Sequence, residues 1–174
     1  PKIAIVLNIT PDHLNRYNNE FEKYVASKLR ISMNQNKEDL LIYNEDDITI
    51  RKNIKTNARR VPFTLKNQIK GEGAFYKDDK ININLNNNKM TIQELALQGR
   101  HNIYNSMAAA ITGRILDVKN DIIRQSMLDF QNVEHRLEFV LSVHGIDFVN
   151  DSKATNVNAT WYALESMSKS VIWI

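Results

Sequence analysis

Phe148-Val149-Asn150-Asp151-Ser152-Lys153-Ala154-Thr155-Asn156 is the stretch on which the reading of this chain turns. Just before it, Glu138–Val143 and Ile146–Val149 are short apolar runs joined at His144-Gly145, the pattern of a hairpin. Just after it, Val157–Met167 carries Ala159, Tyr162, Ala163 and Ser166 at helical spacing. Asp151, Ser152, Lys153 and Thr155 therefore sit on a loop between a strand and a helix, where open α/β sheets place their ligands. An acid, a cation and two hydroxyls within five positions could serve a ligand. The same residue types also cap helices and make turns, so spacing leaves both readings open.

The literal string Asn150-Asp151-Ser152-Lys153-Ala154-Thr155-Asn156 resembles the opening of the third domain of the Mur ligases, the enzymes of peptidoglycan synthesis. Its wording is closest to that of the D-glutamate-adding branch. The resemblance implies a cytoplasmic, ATP-dependent carboxylate–amine ligase, and the rest of the chain can be read against it.

Composition allows such an enzyme. The 174 residues carry a net charge of +3, with 43% hydrophobic and 25% charged residues, as in ordinary soluble globular proteins. That length suits one domain, or one domain and part of another. No apolar run approaches the roughly 20 residues that span a bilayer, and the start has no signal-peptide pattern. Without cysteine there is neither a disulfide framework nor a thiolate metal site. No membrane association and no nucleic-acid partner are expected. Lys55-Thr56-Asn57-Ala58-Arg59-Arg60 is the only dense basic cluster, and such runs usually form a solvated face. The chain opens on Pro1-Lys2 and stops inside Val171-Ile172-Trp173-Ile174, an apolar strand pattern, which reads as a piece of a longer enzyme.

Ile3–Ile9 is a continuous aliphatic run, the pattern of a parallel strand buried on both faces. Pro11 ends it, leaving Asp12 and His13 just past the strand's carboxyl end, where His13 could be structural or part of a site. Asn19–Met33 follows as a helix with Phe21, Tyr24, Val25, Leu29 and Ser32 on one side. Lys28 falls on that side as well. Its stem could cover apolar surface while the amine reaches water. Alternatively, the amine could be partly buried, lose its proton more easily and take up carbon dioxide as a carbamate, an oxygen ligand suited to magnesium. Asp39–Tyr43 reads as a short strand. Between Asn44 and Met90, Val61–Leu65, Ala74–Tyr76 and Ile81–Leu85 read as small antiparallel strands, with turns at Asn67, Gly71-Gly73 and Asn86-Asn87-Asn88. Gly99 opens the clearest helix, running to about Leu116, with Ile103, Met107, Ala110, Ile111 and Ile115 as its buried stripe. Asn102 and Asn105 share one side of its first turn. They could cap it, or read the edge of an adenine. Asn120–Phe130 is a further amphipathic helix.

Four more stretches carry the resemblance. Asp12-His13-Leu14-Asn15-Arg16-Tyr17 and Tyr24-Val25-Ala26-Ser27-Lys28-Leu29-Arg30-Ile31 are similar to consecutive Mur central-domain motifs. The resemblance implies that His13 and Lys28, as a carbamate, hold a magnesium ion. Gly99-Arg100-His101-Asn102-Ile103-Tyr104-Asn105 resembles the motif whose asparagines contact ATP, which assigns Asn102 and Asn105 to the nucleotide. Val133-Glu134-His135-Arg136-Leu137-Glu138 resembles the junction between central and C-terminal domains, whose arginine, here Arg136, contacts nucleotide.

The fold implied is α/β: a mostly parallel sheet flanked by helices, a small antiparallel β subdomain, and the truncated start of a Rossmann-like C-terminal domain. Residues 1–132 would be central domain and 133–174 the start of the C-terminal one. The reaction implied joins UDP-N-acetylmuramoyl-L-alanine to D-glutamate through an acyl phosphate, with ATP and Mg²⁺ as cofactors. His13, Lys28 and Lys153 are the expected catalytic residues. Arg136 and Asp151 would fix ribose or phosphates, and Lys153 and Thr155 would face the amino acid or the transferred phosphate. None of the five glycines begins a Gly-x-x-x-x-Gly-Lys-Ser/Thr phosphate loop, so the expectation is that this loop precedes Pro1 and that the chain alone is inactive. Another Mur-type or folylpolyglutamate-type ligase, and a non-catalytic nucleotide-binding module, remain as alternatives.

Overall fold

Alternation along one short strand shows how the layers form. In β2 (Leu40–Asn44), Leu41 and Tyr43 face one way and Ile42 the other, and all three are buried. A strand buried on both faces needs a cover on each. On the Leu41 side lie α1 (Phe21–Leu29) and α2 (Ile48–Asn53), packed through Tyr24, Val25, Ile50 and Ile54. On the Ile42 side lie α3 (Arg100–Ile115) and α4 (Asn120–Leu128), packed through Met107, Ala110, Ile111 and Ile123. Each large aliphatic side chain so buried contributes about 1.5–3 kcal/mol. The computed structural model describes residues 1–96, 99–131 and 133–174.

The main sheet has six strands in the order β1-β2-β3-β4-β5-β6. β1 (Ile3–Val6), β2, β3 (Arg59–Thr64) and β4 (Gly73–Lys77) run parallel. β5 (Lys80–Leu85) and β6 (Asn88–Ile92) extend the sheet antiparallel. In β5, Ile81, Ile83 and Leu85 enter the core while Asn82 and Asn84 stay partly exposed, the alternation of a sheet covered on one side. Asp78-Asp79 and Asn86-Asn87 make the hairpin turns with positive φ at both central positions, which Asn and Asp tolerate.

A second unit follows. β7 (Glu138–Val143) and β8 (Ile146–Asn150) form a two-stranded antiparallel sheet turned at His144 (φ 49) and Gly145 (φ 80). The polar loop 151–156 leads into α5 (Val157–Glu165), whose first turn is capped by the Asn156 side chain on the Ala159 N–H at 2.9 Å. No helix among the described residues is long and apolar enough to cross a membrane.

The α/β class, the parallel sheet, the helices α1, α3, α4 and α5 and the hairpin agree with expectation, and several details differ. Val61–Leu65 was expected among antiparallel strands. Its core instead forms β3, parallel to both neighbours, so the antiparallel strands prolong the main sheet. A lone five-residue apolar run does not encode its direction; the crossover before it does. That crossover is α2, too short for a periodic signal. β1 is an edge strand, and Ile5 is 38% exposed, so the aliphatic run is not buried on both faces. Val171–Ile174 forms no strand and is exposed. The expected boundary at 132/133 touches Asn132, which lies outside the described residues.

Candidate functional site

Parallel strands direct their following loops to one edge, and the groups singled out by sequence gather along it. After β1, the Ile9 N–H donates to Asp47 Oδ2 at 2.8 Å, tying this loop to the start of α2. Asp12 Oδ1 accepts from the His13 N–H at 2.9 Å and lies 3.8 Å from His13 Nε2. His13 itself is left-handed (φ 50) and exposed, at the head of a 3-10 turn, Leu14–Tyr17. That turn packs on α1: the Tyr17 ring meets the Tyr24 ring edge-on at 5.3 Å, and its hydroxyl donates to Ser27 Oγ at 3.4 Å.

Lys28 is exposed, with Nζ 5.2 Å from the centroid of the same Tyr24 ring. A cation so placed is attracted by the negative face of the ring. The desolvated amine weighed from sequence is therefore not what this structure contains: four helical residues put Lys28 one turn above Tyr24, and its stem runs over that ring into solvent. The His13 turn and the Lys28 amine share Tyr24 as a neighbour, and no hydrogen bond joins the two side chains among the described residues.

The acidic run after β2 is more organised than its sequence suggested. Asp46 Oδ1 accepts from the buried Thr64 hydroxyl at 2.6 Å. Its Oδ2 accepts from the Leu65 N–H at 2.7 Å and the Tyr104 hydroxyl at 2.8 Å. One carboxylate thus ties the ends of β2 and β3 to the first turns of α3. Burial, then the Asp46 carboxylate, pushes the Tyr104 hydroxyl well above its usual range, opposed by Arg100. The first two turns of α3 also carry Asn102, partly buried, and Asn105, exposed.

The linker before β7 folds back on the 150–156 loop. Glu138 Oε2 accepts from the His135 N–H at 2.8 Å, the His135 carbonyl accepts from the Lys153 N–H at 3.0 Å, and Asp151 Oδ1 accepts from the Leu137 N–H at 3.1 Å. His135 (φ 64) and Leu137 (φ 46) are left-handed, which is rare for such side chains and costs about 1–3 kcal/mol each. Between them sits Arg136. His101, on α3, lies close enough to Arg136, Asp151 and Glu165 to feel each charge, and its ring is 5.7 Å from that of Tyr162 on α5. Burial and then Arg136 depress the His101 imidazole, against the pull of Asp151 and Glu165. At the far side of the loop, Asn156 Nδ2 donates to Asp12 Oδ2 at 3.5 Å.

So Arg136 and Asp151 are brought beside α3, and the loop holding Lys153 and Thr155 is brought to Asp12 and hence to His13. Lys28 stands apart from that loop, reached through Tyr24 and the 3-10 turn. Sequence reasoning missed Asp46, Tyr104 and His101. The rule that flagged His13, a polar residue past the carboxyl end of a strand, applies equally to Glu45-Asp46-Asp47.

The profile of the Mur ligase middle domain matches residues 1–113. The chain belongs to the Mur ligases. It is 48% identical, over its whole length, to the UDP-N-acetylmuramoylalanine--D-glutamate ligase of Christiangramia forsetii, and 43% identical to the enzyme of that name from Salinibacter ruber. It spans 40% and 39% of those two proteins. The same Mur fold is found in MurF from Acinetobacter baumannii, with a TM-score of 0.73 at 20% identity over 95% of this chain and 37% of that one. A pseudomurein peptide ligase type C from Methanothermus fervidus gives 0.72 at 21% identity, over 96% and 41% of the two chains. MurF from Thermotoga maritima, solved in complex with ADP, gives 0.68 at 17% identity over 95% and 38%.

Proposed function

We propose that this chain is the nucleotide- and metal-binding part of a cytoplasmic Mur ligase that joins D-glutamate to UDP-N-acetylmuramoyl-L-alanine. What carries the reading is convergence. The Asp12-His13 loop, the first turn of α3, Arg136 and the Asp151–Asn156 loop meet along one sheet edge, in a chain 48% identical to a ligase of that name.

In the proposed reaction an oxygen of the substrate carboxylate attacks the γ-phosphorus of ATP and ADP departs. The D-glutamate amine then attacks the acyl carbon, phosphate leaves with that oxygen, and the nitrogen gives up a proton. Phosphoryl transfer rests on positioning and charge neutralisation. Asn102 and Asn105 would hold the base, Arg136 and Asp151 the ribose or phosphates, and Lys153 and Thr155 the amino acid or the transferred phosphate.

Magnesium fits in kind. Among the described residues there is no group of three or more His, Asp or Glu side chains able to hold a metal. Magnesium usually takes few protein ligands and completes its shell with water and phosphate oxygens. His13 and a carbamate on Lys28 would be those ligands, with the ion supplying neutralisation of phosphate charge. A carbamate on the exposed Lys28 would form from dissolved carbon dioxide, the amine nitrogen bonding to its carbon and giving up a proton.

The test is oxygen transfer. UDP-N-acetylmuramoyl-L-alanine labelled with ¹⁸O in its carboxylate is supplied to the full-length protein that carries this chain, with ATP and D-glutamate. One labelled oxygen in the released phosphate is expected. Unlabelled phosphate accompanying product would refute the acyl-phosphate route.

A further inference from the structure

We propose that Asp46 and Tyr104 are positioning residues for the nucleotide: through their hydrogen bond they fix the turn of α3 from which Asn102 and Asn105 reach the base. This rests on the ligase reading above. The start of α3 gains from an external hold. Its N-cap is Gly99, at φ 95 and without a side chain to cap the free N–H groups. Helix ends fray more readily than their middles, and Asn102 and Asn105 lie in the first two turns.

Tyr104 supplies the hold. At about 100° per residue, it projects roughly 100° away from Asn105 and 200° from Asn102. It can therefore pin the helix without meeting the ligand. Its ring lies 6.0 Å from that of buried Phe63, and its hydroxyl donates 2.8 Å to Asp46 Oδ2. Asp46 is fixed in turn by Thr64 and Leu65 at the end of β3. The buried Thr64 hydroxyl also accepts from the Lys66 N–H at 3.0 Å. A charge-assisted hydrogen bond anchored on two strand ends is stronger and better oriented than a neutral one. Amides that read a base must be held to within about 0.5 Å to be effective. When only part of the population has the competent turn, apparent affinity falls by that fraction.

The experiment uses the full-length ligase carrying this chain. Tyr104→Phe removes the hydroxyl and keeps the ring; Asp46→Asn keeps the shape and loses an acceptor. Binding of a non-hydrolysable ATP analogue with Mg²⁺ is measured by calorimetry, and KM for each substrate by steady-state kinetics. Both variants should weaken analogue binding and raise the ATP KM about 5- to 10-fold. The KM values for the other two substrates, and kcat at saturating ATP, should stay within about two-fold. In an Asn102→Ala/Asn105→Ala background, Tyr104→Phe should add nothing, because the residues it positions are gone. Unchanged analogue binding, an equal loss in both backgrounds, or a loss spread over all three substrates would overturn the proposal, even if thermal stability drops. If Asp46→Asn does not fold, Tyr104→Phe carries the test. A wild-type protein that binds no nucleotide would instead sink the ligase reading, and this inference with it.

Discussion

Asp47→Ala probes the joint between the first two site-bearing loops. Asp47 Oδ1 accepts from the Ile50 N–H at 3.0 Å and caps α2; Oδ2 accepts from the N–H of buried Ile9 at 2.8 Å. Alanine removes the cap, worth about 1 kcal/mol. It also leaves a buried N–H without its partner, at a cost of about 1–3 kcal/mol. The sum is about 3 kcal/mol, or a fall in Tm of about 6–12 °C for a chain of this size. Asp47→Asn keeps one acceptor oxygen and should lose about half as much. Urea denaturation followed by far-UV circular dichroism is the assay. Both tryptophans, Trp161 and Trp173, are exposed and lie far along the chain from this joint, so their fluorescence would report on the wrong region. Asp121→Ala, at a carboxylate 95% exposed, is the control and should barely move the midpoint. If Asp47→Ala behaved like that control, Asp47 would not be what holds the Asp12-His13 loop.

Three further outcomes are expected. Gly73→Ala should destabilise by about 2–3 kcal/mol, because a Cβ there would stand 2.4 Å from the Pro62 carbonyl oxygen at φ +145, whereas Gly71→Ala meets nothing within 4 Å and should be silent; equal midpoints would refute this. His101 has a depressed pKa when folded, so the unfolded chain binds more protons below the ordinary value of about 6.5. Stability should therefore hold above that pH and decline as pH falls through the folded pKa, and His101→Gln should remove that part of the decline; an unchanged profile in the variant would contradict it. The 174-residue chain alone should release no phosphate from ATP above background, and steady release would overturn that expectation.

Much of the fold was legible because its signals are local and repeated. The stripe from Met107 to Ile111 marked α3, and His144-Gly145 between apolar runs marked the hairpin. What stayed hidden is what depends on partners distant in sequence. β3 reads the same whether parallel or antiparallel, since its direction is set by the short crossover α2. β1 looks doubly buried because an aliphatic run does not say which of its faces is covered. At the candidate site, the motifs singled out His13, Lys28, Asn102, Asn105, Arg136 and Asp151, but not how they are held. Asp46 and Tyr104 are 58 positions apart, and neither residue alone signals the other. The Lys28 environment stayed open in the sequence for a related reason: helical spacing gives the side on which a long side chain starts, and not where its amine ends, which is in solvent as the first of its two readings has it.

Product formation by the whole enzyme decides whether this chain serves a D-glutamate-adding ligase. The full-length protein carrying this chain is incubated with ATP, Mg²⁺ and UDP-N-acetylmuramoyl-L-alanine, together with D-glutamate or another amino acid, and the nucleotide sugar is followed by mass spectrometry. A product extended by one glutamate, formed only with D-glutamate and with one phosphate released per bond, is the predicted result. No extension, or extension by a different amino acid in preference to D-glutamate, would contradict it.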